Sequence, residues 1–265
     1  MLKTEYYKEF TTKFNALSPH LTAWQKWEYL ISAMACSLAN AADRDSKRWK
    51  KREAEYKNDM AQLGITVEEA ADMLGIVIRA LEDYPQEDFL GDMYMRLRLS
   101  DHWKGQFFTP TNVAEMMAKF NLSGDTQARI ENSPRKYISI ADPSCGAGVT
   151  LLAAAKTLRE QGINYQQSCF FVGQDIDRVA AQMCFIQLAL IGAPGYVIVG
   201  DTLVNPGTAI EGNPLLPVMK EGQDYYFTPM YWTEKWQAKI IMSKHAILAE
   251  RIEEQNKGNA NKIAS

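Results

Sequence analysis

Nothing in this chain of 265 residues is arranged to hold a metal through cysteine. There are only four cysteines, Cys36, Cys145, Cys169 and Cys184, and no two of them form a CxxC pair. Their spacing fits no zinc site, so no metal is expected. So few cysteines suit a reducing compartment. Long apolar runs are also lacking, and no segment approaches the roughly 20 apolar residues that a membrane-spanning helix needs. The first residues, MLKTEYYKEFTTKF, mix charge with aromatics and contain no apolar stretch of the signal-peptide kind. A cytoplasmic protein without a membrane partner is expected. Positive charge is not in surplus either: Lys and Arg number 29 against 32 Asp and Glu, a net charge of -3. A stand-alone DNA binder draws much of its affinity from phosphate neutralisation. Tight, independent DNA binding is therefore disfavoured unless a local patch or a second subunit supplies the positive field. The cluster KRWKK at 47–51, extended by Arg52 and interleaved by Trp49, is a candidate phosphate contact. It reads equally as one solvated helix face, because Glu53 and Glu55 follow it.

What is present divides the chain into three parts: a helical unit over 1–98, an α/β unit over 99–232, and a helix with a tail over 233–265. Trp24, Trp27, Leu30, Ile31 and Met34 recur at helical steps. Thr66 with Glu69 makes a capping box ahead of a further helix. From Lys136 the rhythm changes. YISIA at 137–141, CFFVG at 169–173 and YVIVG at 196–200 are short apolar runs, separated by helical stretches at 149–161 and 177–191. Strand and helix in this alternation predict a parallel βαβαβ sheet buried on both faces. Residues 204–217 hold Pro206, Gly207, Gly212, Pro214 and Pro217 and read as a loop. YYFTPMYW at 225–232 reads as a strand or an aromatic packing segment. Before the first strand, Pro110 fits a first helical turn with Thr109 as its cap, and Val113, Met116, Met117 and Phe120 form a stripe that reads as core.

Each strand ends in an acid or a glycine turn, and ligands of open α/β sheets bind beyond the carboxyl ends of the strands. The first ending is DPSCGAG at 142–148, where Gly146 and Gly148 let the backbone turn tightly. It is not a GxGxxG loop, because Leu151 takes the third glycine's place. A leading Asp142 would repel a pyrophosphate and suits an amine or a sulfonium instead. The second is GQDID at 173–177. Asp175 is placed to accept ribose hydroxyls, Asp177 reads as a helix N-cap, and Ile176 suits an adenine face or core. The third is GDTL at 200–203, where Asp201 could accept a bond from an adenine amino group or be an ordinary loop residue. Phe107 and Phe108 stand side by side, one expected to pack inward and the other to cover a pocket.

GQFFTP (105–110), DPSCGAG, GQDID and GDTL, in this order, resemble the motifs of adenine-N6 DNA methyltransferases, in particular the modification subunits of type I restriction enzymes. DFLGDMYMRL at 88–97 resembles that family's linker helix. The match covers 88–203. The resemblance implies a Rossmann-like, S-adenosylmethionine (SAM)-dependent methyltransferase fold, with SAM as cofactor and DNA as partner, reached alone or through a partner subunit. It would place Phe108, Thr109 and Pro110 at the methionine end of SAM and Asp142, Cys145, Gly146 and Gly148 in the loop beneath it. Asp175 would lie on the ribose, Ile176 on the adenine and Asp201 on its amino group. The family's catalytic Asn-Pro-Pro-aromatic motif, which holds and stacks the flipped adenine, is not found. The nearest candidates are NPG at 205–207 and NPLL at 213–216, so Asn213 is the one residue offered for catalysis. The stretch after 203 is also short for the family's last strands. Three readings follow: an adenine-N6 DNA methyltransferase, a catalytically silent SAM-binding or decoy partner, and a methyltransferase for another acceptor.

Overall fold

The computed structural model describes residues 1–99 and 109–263. It opens with five helices: α1 (Lys3–Ala16), α2 (Ala23–Ala42), α3 (Ser46–Leu63), α4 (Val67–Asp83) and α5 (Phe89–Arg96). The first lies within the expected helical unit, although no helix was assigned ahead of residue 20 from the sequence. Its Tyr6, Tyr7, Phe10 and Phe14 are buried, and Phe10 meets Trp27 of α2 and Phe89 of α5 edge-on at ring distances of 6.0 and 5.9 Å. The expected capping box is present: the Thr66 side chain accepts from the Glu69 amide while the Glu69 carboxylate accepts from the Thr66 amide.

Two helices, α6 (Thr111–Asn121) and α7 (Thr126–Asn132), lead into the sheet. Then come β1 (Ile138–Asp142), α8 (Val149–Glu160), α9 (Tyr165–Ser168), β2 (Cys169–Asp175), α10 (Arg178–Leu190) and β3 (Gly195–Val199). Short strands β4 (Thr208–Ala209) and β5 (Pro217–Val218) pair with each other, β6 (Asp224–Phe227) follows, and α11 (Glu234–Ile263) ends the chain. The main sheet has the order β1-β2-β3-β6. The first three strands are parallel, as expected, and β6 runs antiparallel to β3.

The strand pleat sends alternate residues to opposite faces. Phe171, Val197 and Tyr226 join the core beneath α8, α10 and the N-terminal helices. Phe170, Tyr196, Ile198, Tyr225 and Phe227 form a second cluster with Tyr231, Trp236 and Ile240. Every residue from Val179 to Leu188 of α10 is buried, because this helix lies between the sheet and α2. One core thus runs from Tyr6 in α1 to Val197 in β3.

The sheet is half of a doubly wound one. In the common order 3-2-1-4-5-6 the first strand is central. Here, among the described residues, β1 lies at the edge, and Ser139 and Ala141 are exposed where the interior strands are buried. The shortage of strands seen in the sequence therefore falls beside β1. The α6 stripe is corrected by the same fact. Ala114 and Ala118, one turn apart, are the buried side, packed on α8. Met116, Met117 and Phe120 are 65%, 44% and 83% exposed, and Val113 is 38% exposed. The small residues allow close helix contact, which turns the large ones outward. Helix α6 also begins one residue later than expected, with Pro110 and not Thr109 in the cap position.

The KRWKK cluster is mostly engaged inside the molecule. Arg48 and Arg52 bind Asp43, Lys51 pairs with Asp224, and Arg178 of α10 binds the same Asp224. The segment fastens α3 to β6, and only Lys47 and Lys50 stay exposed without such a role.

On α3, Asp59 is 5% exposed and its Oδ2 has no hydrogen-bond partner among the described residues. Burial pushes its carboxyl up to about 6, with Glu55 and Glu28 adding to the rise against the bonds from Ser32 and Asn58. A raised carboxyl pKa means that the fold binds the proton more tightly than the unfolded chain does, so stability falls as pH rises from about 4 to about 6. Asp59→Asn is expected to gain about 3 kcal/mol at pH 7 and little at pH 4. Urea unfolding at both pH values checks this, and an equal gain at each would contradict it.

Candidate functional site

The ends of β1, β2 and β3 are laced together by hydrogen bonds. The Cys145 amide donates to the Gln174 carbonyl at 2.9 Å, and the Gly200 amide donates to the Asp175 carbonyl at 2.9 Å. The Asp175 carboxylate accepts from the Gly146 amide at 2.8 Å and from the Asp177 amide at 2.9 Å. The Thr202 hydroxyl closes the ring by donating to the Pro143 carbonyl at 2.5 Å. All three sequence endings therefore meet in one place, at the carboxyl edge of the sheet.

Within the first loop, Gly146 and Gly148 have φ of +52° and +98°. A Cβ on Gly148 would lie 2.8 Å from the Cys184 sulfur, so the position needs glycine for its turn and for space. Asp142 accepts from the Ser144 amide at 3.0 Å and from the Thr150 hydroxyl. Cys145 is buried against Cys184, and the hydrogen bond between them, with burial, pushes its thiol well up. It is a neutral packing residue of the loop, with no nucleophilic character.

Asp175 is raised above the ordinary carboxylate range by burial, against the pull of the two amides. A carboxylate has about four lone-pair positions. Two of them hold the loops, which leaves capacity for a pair of hydroxyls. Asp177 has the N-cap role read from the sequence, accepting from Val179 and Ala180 at 2.9 and 3.1 Å. Asp201 accepts from the Leu203 and Val204 amides at 2.8 and 3.2 Å. Ile176 is 68% exposed, so it is not core.

Sequence reasoning missed several residues here. Leu203 and Val204 are 95% and 83% exposed and add apolar surface beside Asp201. Gln174 is buried, and it donates to the Gly200 and Asn205 carbonyls at 3.1 and 3.0 Å while accepting from the Gly207 amide at 2.7 Å. It fixes the NPG segment against β2. A glutamine near the end of an apolar strand was the available signal, because a buried amide must have partners.

Two expectations fall elsewhere. Phe107 and Phe108 lie outside the described residues; Thr109 and Pro110 are both exposed and lead into α6. A groove of about 510 Å³ runs between α6 and the open edge of β1, lined by Ala114, Met117, Ile138, Ile140, Asp142 and Thr150. Asn213 is not at this site. It is 3% exposed, and its Oδ1 accepts from the Tyr137 hydroxyl at 3.1 Å and the Leu215 amide at 3.2 Å. Tyr137 precedes β1, whereas Asp142 ends it, a strand length of roughly 16 Å away at about 3.3 Å per residue. NPLL is a buried turn, because its asparagine organises the loop that covers the amino-terminal half of the sheet.

The groups present suit a nucleoside with a cationic tail. Acids line the rim, hydroxyl acceptors remain on Asp175, apolar surface is offered by Ile176 and Leu203, and a tight glycine turn lies below. Among the described residues no group of three or more His, Cys, Asp or Glu could hold a metal ion, and no helix is long and apolar enough to cross a membrane.

The family model for N-6 DNA methylases matches residues 85–263. The chain belongs to the N-6 DNA methylase family. That span takes in α5 and the whole of the sheet. Among solved structures, similarity extends to the methyltransferase subunit of a type I restriction-modification system from Streptococcus thermophilus. The identity is 15%, over 77% of this chain and 60% of that one, with a TM-score of 0.42. A protein from Listeria monocytogenes described as a class I S-adenosylmethionine-dependent methyltransferase is 13% identical over 89% of this chain and 77% of that one, with a TM-score of 0.39. This chain therefore spans 60% of the length of the Streptococcus subunit. No curated protein matches it.

Proposed function

We propose that this N-6 DNA methylase family member binds SAM at the carboxyl ends of β1, β2 and β3 and serves adenine-N6 methylation of DNA. The observation that carries the reading is the lacing of Asp175 to Gly146, which joins the ribose-type acid of one loop to the glycine turn of another. Asp142 faces the cationic end of the ligand, with Cys145, Gly146 and Gly148 forming the turn beneath. Asp175 takes the ribose hydroxyls, Ile176 lies on the adenine, and Asp201 accepts from its amino group. Phe108, Thr109 and Pro110 are assigned to the methionine end. SAM supplies an electrophilic methyl group; the protein's share is to hold it and exclude water.

A second reading has specific support. Asn213 bonds to Tyr137, which precedes β1, and among the described residues no strand pairs with β1 on the side where a doubly wound sheet would continue. The acceptor adenine and the groups that hold it are then supplied through a partner chain, and alone this protein is a SAM-binding component. Calorimetric titration with SAM and then with S-adenosylhomocysteine tests the site: micromolar binding of both is expected, and no binding of either would end the reading. Methyl transfer to unmethylated DNA by the isolated protein then separates the two, because the second reading requires none.

A further inference from the structure

Three segments meet at Gln187 of α10, which is fully buried. Its Nε2 donates to the Ala147 carbonyl at 2.9 Å and to Asp88 Oδ1 at 2.8 Å, and its Oε1 accepts from the Leu90 amide at 3.1 Å. Asp88 Oδ1 also accepts from the Gly91 amide at 2.9 Å, capping α5. One side-chain amide therefore holds the candidate cofactor loop with one proton and the cap of the last N-terminal helix with the other.

Location gives this contact its consequence. Ala147 lies between Gly146 and Gly148, the two left-handed residues of the turn. Fixing its carbonyl fixes the peptide plane leading into Gly148 and thus the aim of the loop amides. A leucine would fill similar space, and every other residue from Val179 to Leu188 except Gln182 is apolar. A buried amide is costly unless its partners are in place, and here both protons and the oxygen are engaged. Helix α10 also carries an internal comparison. Gln182 is equally buried but reaches Tyr226 of β6 at 3.0 Å and Ser32 of α2 at 3.5 Å, and its Oε1 has no partner among the described residues.

We infer that Gln187 is a positioning residue of the SAM loop, acting through the Ala147 peptide and making the loop's geometry depend on the α5 cap. The inference rests on the SAM-binding reading above. It assigns Gln187 no contact with ligand.

The test is SAM titration, with thermal unfolding in parallel, of the full chain and of Gln187→Met, Gln187→Asn and Gln182→Met. Gln187→Met should lower the melting temperature more than Gln182→Met, because the Gln182 oxygen has no bond to lose among the described residues. Only the Gln187 variants should lose SAM affinity, by about tenfold, the scale of one net buried hydrogen bond, with Gln182→Met staying within about twofold of the parent. Gln187→Asn keeps the amide but withdraws it by one bond, so it decides the matter should Gln187→Met not fold. Parent-like affinity in the Gln187 variants would overturn the proposal, as would an equal loss in Gln182→Met, which would mark general softening of the helix. Absence of SAM binding by the parent protein would instead remove the site reading, and this proposal with it.

Discussion

Asp142→Ala is expected to abolish SAM binding in a protein that still folds. The substitution removes the acid at the rim and also the acceptor for the Ser144 amide and the Thr150 hydroxyl. Charge-assisted bonds contribute about 1.5–3 kcal/mol each, so the loss of charge and turn together should weaken binding by about 100-fold or more. Asp142→Asn separates the two effects. Its oxygen still accepts from Ser144, so the turn persists, while the charge that faces the cationic end is gone. An intermediate loss is expected there. Calorimetry with SAM reads both variants, and circular dichroism checks that α8 remains. Unchanged affinity in Asp142→Ala would remove Asp142 from the site and leave the electrostatic argument for a sulfonium ligand without its main support.

The loops of this site were legible because the strands that feed them are dictated locally. The apolar runs at 137–141, 169–173 and 196–200 became β1, β2 and β3 with shifts of one or two residues at their ends. The acids that follow are brought together by parallel pairing, which brings successive carboxyl ends to one edge. Asp177 was readable as an N-cap because that role depends on its own helix alone.

What failed to read depends on contacts between distant segments. Helix α6 offers two apolar faces, a stripe of large residues and a pair of alanines, and periodicity does not say which one meets α8. Asn213 carried the right residue type for a catalytic motif, but its role is set by Tyr137, 76 positions away. The antiparallel pairing of β6 with β3 leaves no mark in either segment. The cations of KRWKK looked like a solvated or phosphate-binding face because their partners, Asp43 and Asp224, come from α2's end and from β6.

That last arrangement yields the largest expected effect on stability. Asp43 is completely buried and accepts from Arg48 Nε at 2.7 Å, Arg48 Nη2 and Arg52 Nη2 at 3.0 Å, and the Asp45 amide at 3.1 Å. Arg52 is 4% exposed, and Arg48 lies over the Phe227 ring of β6 at 5.3 Å. Asp43→Ala would leave the buried Arg52 guanidinium without its counter-charge and Arg48 with only Asp45, at 3.9 Å. Removing one partner of a buried ion pair costs about 3–5 kcal/mol, chiefly through the stranded charge. Asp72→Ala, which breaks the exposed pair with Lys13, should cost far less, because solvent screens an exposed pair. Urea unfolding at pH 7 measures both. The pH dependence follows from the same contacts. Burial alone would raise the Asp43 carboxyl, but the bonds from Arg48, the Asp45 amide and Arg52 outweigh it and hold the group below the ordinary range. A depressed carboxyl stabilises the fold at every pH above its unfolded value, about 3.9, and the contribution is lost as pH falls through the lower folded one. The gap between parent and Asp43→Ala should therefore stay constant from pH 7 to pH 5 and narrow in stronger acid. A gap that is small at pH 7, or that widens in acid, would mean that Asp43 does not hold α3 to the end of α2.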